Sequence, residues 1–76
     1  MEKTIGEIKK TNTVVTKVRL TEFKGKQLID IRDWFKPKNN NDYAPTKKGI
    51  TLNISKAGEI VTLLEQTEDE LSKRSA

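Results

Sequence analysis

The sequence predicts an α+β domain: a four-stranded antiparallel sheet followed by a C-terminal helix. Period-two alternation of apolar and polar residues runs through the middle of the chain, the connections between these runs are short, and a helical apolar stripe follows them. Short connections join antiparallel strands, and a helix backing such a sheet leaves the opposite face open.

Taken in order, Thr4 to Lys10 has weak strand character because Ile5 and Ile8 are out of step with a period of two. Residues 1–12 therefore read as an N-terminal arm or an extra edge strand, ahead of a β-β-β-β-α domain over 13–68. The first strong strand is Val14 to Thr21, where Val14, Thr16, Val18 and Leu20 alternate with Val15, Lys17, Arg19 and Thr21. Residues 22–25 form a tight hairpin in which Gly25 supplies a positive φ. The next strand, Lys26 to Phe35, ends where Pro37 removes a ladder donor. Asn39, Asn40, Asn41 and Asp42 suit a loop.

Tyr43 and Ala44, before Pro45, suggest a short edge strand, and Thr46 to Gly49 leads into a half-buried strand from Ile50 to Ile54. Ser55 is placed to cap a helix beginning at Lys56. Ala57, Ile60, Val61, Leu64 and Leu71 fall on one helical stripe, and Leu63 widens it. These side chains either all pack on the chain's own sheet or use Leu63 and Leu64 for dimer contacts; the pattern fits both. The helix is expected to fray before Ser72, leaving residues 69–76 as a polar tail.

A chain of 76 residues is one domain, and one this small buries only about 60% of its unfolded surface. With 33% hydrophobic residues and a mean hydropathy of -0.72, the apolar material supports one sheet and one helix, and oligomerisation is the usual remedy for so small a core. The absence of cysteine and histidine excludes disulfides, thiolate and imidazole metal sites, and the commonest nucleophile and general base. No clustered acidic pattern suggests a carboxylate-only Mg²⁺ site. Lys47-Lys48-Gly49 lacks the preceding glycine and following helix of a phosphate loop. The expectation is binding without catalysis or cofactor. No apolar run approaches the ~18 residues of a membrane span, and no signal-like segment opens the chain, so a soluble, cytoplasmic protein is expected.

Charge is unevenly spread. Residues 1–54 carry 12 Lys or Arg against 6 Asp or Glu, whereas residues 65–76 carry two basic against four acidic groups. A positive field concentrated on the strands attracts polyanions, although a merely solvated lysine surface has the same composition. Single-stranded nucleic acid is held by cations that track phosphates and by rings on which bases stack, the latter contributing about 1–3 kcal/mol per base.

The candidate contacts are Lys17, Arg19, Phe23, Lys24, Lys26, Arg32, Trp34, Phe35, Lys47 and Lys48. Simple parity puts Lys24, Lys26, Arg32 and Trp34 on one face, and assigns Phe23 and Phe35 to the core with Ile29 and Ile31. Asp30 falls on the basic face, where a carboxylate repels phosphate; it is expected to pair with Lys17, Arg19 or a cross-strand lysine.

Two blocks then carry a family likeness. Phe23-Lys24-Gly25-Lys26 with Leu28-Ile29-Asp30-Ile31-Arg32, followed by Lys47-Lys48-Gly49-Ile50-Thr51-Leu52 and the terminal helix, closely resembles the family of the eukaryotic transcriptional positive cofactor four, the p15-type coactivator. The likeness runs from about Val14 to Gln66. It implies a curved sheet, a homodimer paired through helix and sheet edge, and channels for single-stranded or unwound DNA with little sequence preference. It further implies that Phe23, Lys24, Lys26, Arg32, Phe35 and Lys48 line the channel, with Lys47 replacing another basic residue, and it moves Phe23 towards DNA contact.

Trp34-Phe35 departs from the family's common Tyr-Trp, so a phenylalanine holds the DNA-facing tryptophan position. The expected dimer interface comprises Ile60, Leu63 and Leu64. The long serine- and lysine-rich arm of eukaryotic members is missing, which points to a bacterial or phage protein. The function so implied is sequence-tolerant single-stranded DNA binding in transcription, replication, recombination or repair, with transcription or replication proteins as further partners. The alternative is a protein-interaction module that regulates RNA polymerase through its basic face.

Overall fold

The computed structural model describes residues 2–39 and 41–75; Met1, Ala76 and Asn40 of the expected loop lie outside them. Four strands, β1 (Lys3–Lys9), β2 (Val14–Phe23), β3 (Lys26–Phe35) and β4 (Ala44–Asn53), form one open antiparallel sheet in the order β1-β2-β3-β4. A 3-10 turn, Ile54–Lys56, leads into the helix α1, Ala57–Ser75. The fold class is the one expected, but the strands are partitioned differently.

Residues 3–9 form a full edge strand rather than an arm. The register of β1 against β2 slips between Thr4 and Gly6, so Ile5 is an inserted bulge residue, and this explains why Ile5 and Ile8 break a period of two. At the other edge, the strands expected at Tyr43–Ala44 and Ile50–Ile54 merge into the single element Ala44–Asn53, which leaves out Tyr43 and Ile54 and holds Pro45 at an edge position where its missing donor is tolerated.

The β2–β3 hairpin closes on Lys24 and Gly25 alone, with φ of 52° and 79°. Positive φ at both central residues is the type I′ turn that matches strand twist. Because the turn consumes two residues, Phe23 pairs with Lys26 and shares its face. The parity count carried through the turn had put Phe23 with the core; strand pairing reverses that.

One sheet face carries Val18, Ile29, Ile31 and Leu52, which line an apolar groove of about 250 Å³ with Ala57, Ile60, Val61 and Leu64 of the helix. The groove is incompletely filled. Among the described residues Val15 is the only buried hydrophobic, while Leu20, Ile50, Val61, Leu63, Leu64 and Leu71 remain exposed. The helix cap also differs from expectation: Asn53, not Ser55, accepts the backbone N–H of Ser55 at 3.0 Å, and the α-helix proper starts at Ala57. The helix continues through residues 69–75, the segment expected to be a polar tail, and is about 28 Å long.

Candidate nucleic-acid interface

The face opposite the groove follows directly from the β2–β3 register. Val15 lies opposite Trp34, Lys17 opposite Arg32, Arg19 opposite Asp30, Thr21 opposite Leu28 and Phe23 opposite Lys26. Paired residues of an antiparallel ladder share a face, so Lys17, Arg19, Phe23, Lys26, Arg32 and Trp34 form one array. Lys24 tops the hairpin at one end of it, its ammonium 5.4 Å from the centre of the Phe23 ring, and Phe23 is 64% exposed.

Trp34 is not an open platform. Its ring is half-buried beneath the Lys17 ammonium at 4.3 Å and the Arg19 guanidinium at 5.1 Å, two cation–π contacts that fix these cations over the sheet. Tyr43, which the sequence marked only as strand, brings a second ring to 5.8 Å from Lys17. The Trp34 indole Nε1 is buried and has no hydrogen-bond partner in the protein.

Asp30 does not repel from the surface, because it is 7% exposed and lies under Arg32. Arg32 donates through Nε to both Asp30 oxygens at 3.1 and 3.3 Å, and the Thr51 hydroxyl donates to Asp30 at 3.0 Å. The partner is therefore the arginine two residues along the same strand; Arg19, its register neighbour, bonds Glu2 at 3.0 Å instead. Arg32 Nη1 also donates to the backbone carbonyl of Thr46 at 2.8 Å, so its guanidinium is largely committed within the protein.

Lys47 and Lys48 lie on a bulge of β4. Pairing runs from Arg32–Gly49 to Trp34–Pro45, leaving Asp33 of β3 opposite Thr46, Lys47 and Lys48. Phe35 pairs with Val14 and Ala44 on the groove side and is 43% exposed, so strand alternation separates it from the Lys17–Arg32 array.

On that same groove side Asp33 accepts from the Lys10 ammonium and the Thr16 hydroxyl, each at 2.8 Å. These bonds, aided by the Lys10 and Lys48 charges, hold its carboxyl below the usual aspartate range. Of the expected dimer residues, Ile60 and Leu64 line the groove, whereas Leu63 sits on another helix face with Gly58, Glu59 and Thr62.

Thr46, Gly49 and Thr51 were not singled out from sequence. Only Thr51 carried a signal, since alternation in Ile50–Ile54 turns it away from the apolar face. Among the described residues, no group of three or more acidic, histidine or cysteine side chains is placed to hold a metal, and no helix is long and apolar enough to cross a membrane.

An open antiparallel meander, with one helix on its apolar face and a cationic, ring-bearing array on the other, defines a small β-sheet binding domain of the kind that presents one face to a ligand. The chain belongs to the Transcriptional Coactivator p15 (PC4) family, which matches residues 10–63. A crystal structure of a PC4 homologue from Burkholderia pseudomallei superposes with a TM-score of 0.80 at 20% identity, covering 90% of this chain and 98% of that one. A bacteriophage T5 homologue of the eukaryotic coactivator gives a TM-score of 0.68 at 21% identity, covering 97% and 91%. No curated protein matches.

Proposed function

We propose that this chain is a homodimeric, sequence-tolerant single-stranded DNA-binding protein, acting by holding strands apart without catalysis. The observation that carries the reading is Lys17 directly opposite Arg32, in a face that also bears Arg19, Lys26, Phe23 and Trp34. Asp30 balances one of these cations from beneath, the face stays net positive, and a phosphate backbone complements that charge. The exposed Phe23 ring beside Lys24 combines a stacking surface with a cation, the pairing that suits unpaired bases. Trp34 acts beneath the cations rather than on bases.

Family membership supports DNA as the polyanion. The bacteriophage T5 homologue is implicated in recombination-dependent DNA replication, and that supports a role in recombination-linked replication. Dimerisation is supported by the unfilled groove and by Leu63 and Leu71, each 58% exposed on a helix that its own sheet covers incompletely.

Titration of Trp34 fluorescence with oligo-dT at two salt concentrations tests the reading. DNA drawing Lys17 and Arg19 from the ring alters emission, and the required concentration rises with salt. An unchanged signal together with no binding in a gel-shift assay overturns it.

A further inference from the structure

Two adjacent lysines in a regular strand point to opposite faces. Here Lys47 and Lys48 sit instead on a bulge in which three β4 residues oppose Asp33, and an inserted stretch of this kind re-aims its side chains. Three hydrogen bonds fix its shape. The Thr46 hydroxyl donates to the Asp33 carbonyl at 2.8 Å and accepts the Lys48 backbone N–H at 3.1 Å, while the Thr46 carbonyl accepts Arg32 Nη1 at 2.8 Å.

The hydroxyl thus ties the bulge both to the neighbouring strand and to itself. Thr46 is half-buried, so replacement water reaches these groups incompletely. Arg32 is in turn aimed by Asp30 and Thr51, at 3.1 and 3.4 Å. A chain of neutral and internally paired groups therefore determines where the Lys47 and Lys48 ammonium groups sit, the latter near enough for its charge to act on Asp33.

We propose that Thr46 is a positioning residue for the polyanion: its hydroxyl holds the bulge that presents Lys47 and Lys48, and Arg32 braces that bulge from the neighbouring strand. The inference rests on the single-stranded DNA reading. It differs from a direct-contact role for Arg32 because it makes an uncharged side chain matter to phosphate binding.

The test measures the affinity of the full chain for fluorescein-labelled oligo-dT across a salt series. Thr46→Val changes no charge and almost no volume. It is expected to weaken binding about fivefold, the equivalent of one hydrogen bond, and to flatten the log–log salt slope by about 0.7 as one lysine loses its phosphate. Thr46→Ser, which restores the hydroxyl, returns both to native values.

In a Lys47→Ala/Lys48→Ala background, Thr46→Val is expected to have no further effect, an outcome that a general loss of stability does not produce. Native affinity in Thr46→Val, or an undiminished penalty in the lysine-free background, overturns the inference while leaving DNA binding intact. A native chain that binds no oligo-dT overturns the DNA reading itself, and the inference with it.

Discussion

Arg32 and Gly49 face each other across β3 and β4 so closely that a β-carbon on Gly49 would lie 2.8 Å from the Arg32 Cβ and 2.6 Å from the Ile31 carbonyl oxygen. Most of the atoms it would meet are backbone, and they cannot swing aside. Gly49→Ala must therefore push β4 away from β3 at the point where the bulge begins. It is expected to destabilise the fold by about 1–3 kcal/mol, read as a lower urea midpoint. A midpoint equal to that of the native chain would show that the two strands are not held this tightly.

The hairpin tip sets stability against charge. Lys24 occupies the left-handed region at φ 52°, which costs a lysine about 1 kcal/mol and asparagine less. Lys24→Asn creates the Asn-Gly pair favoured in type I′ turns. It is expected to raise the thermal midpoint by several degrees while weakening oligo-dT binding and flattening the salt slope by about 0.7. Scanning calorimetry and a salt-dependent titration check the two halves separately.

Much of this architecture was legible because alternation in Val14–Thr21 and Lys26–Phe35 is nearly unbroken, and a helical stripe follows. Other features are hidden in the sequence for physical reasons. Parity alone puts Phe23 on the wrong face, because a count run through Lys24-Gly25 ignores that a two-residue turn restarts the alternation; the family likeness already moves it to the other. The out-of-step Ile5 and Ile8 mark an irregularity but not its kind, and nothing local marks the Thr46–Lys48 bulge, since a bulge exists only relative to a partner strand. The Arg32–Asp30–Thr51 network joins residues up to 21 positions apart, a pairing set by the register of β3 against β4. The basic character of the array was legible; its internal bracing was not.

Asp33 links stability to acid. Hydrogen bonds from Lys10 and Thr16 lower its carboxyl pKa in the folded chain, so the ionised form favours folding. A depressed pKa contributes stability above the ordinary aspartate value, about 3.9, and that contribution is lost as pH falls through the folded value. Asp33→Asn keeps an acceptor for Thr16 but removes the charge. It is expected to unfold at lower urea than the native chain at neutral pH, with the gap closing as pH drops below about 4. A gap that persists in acid would assign the effect to packing. Because Lys10 is 58% exposed, the difference should also shrink with added salt.

Leu63 offers a test of assembly that spares the groove. It is 58% exposed and lies on the helix face bearing Gly58 and Thr62, away from Ile60 and Leu64. Leu63→Lys is expected to leave the circular dichroism spectrum intact while shifting light-scattering mass from dimer to monomer at micromolar concentration. A variant that stays dimeric would place the contact elsewhere on the exposed apolar surface.

The face built on Lys17, Arg19, Lys26 and Arg32 is expected to bind single-stranded DNA through its phosphates. Fluorescence anisotropy of labelled oligo-dT, competed with unlabelled single strand or duplex over a range of salt, addresses it most directly. Single strand should compete well and duplex poorly. The log of the affinity should fall linearly with the log of salt, by about 0.7 per phosphate neutralised, and Lys17→Ala and Lys26→Ala should each reduce that slope. Equal competition by duplex, or an affinity that neither salt nor these substitutions alter, would contradict it.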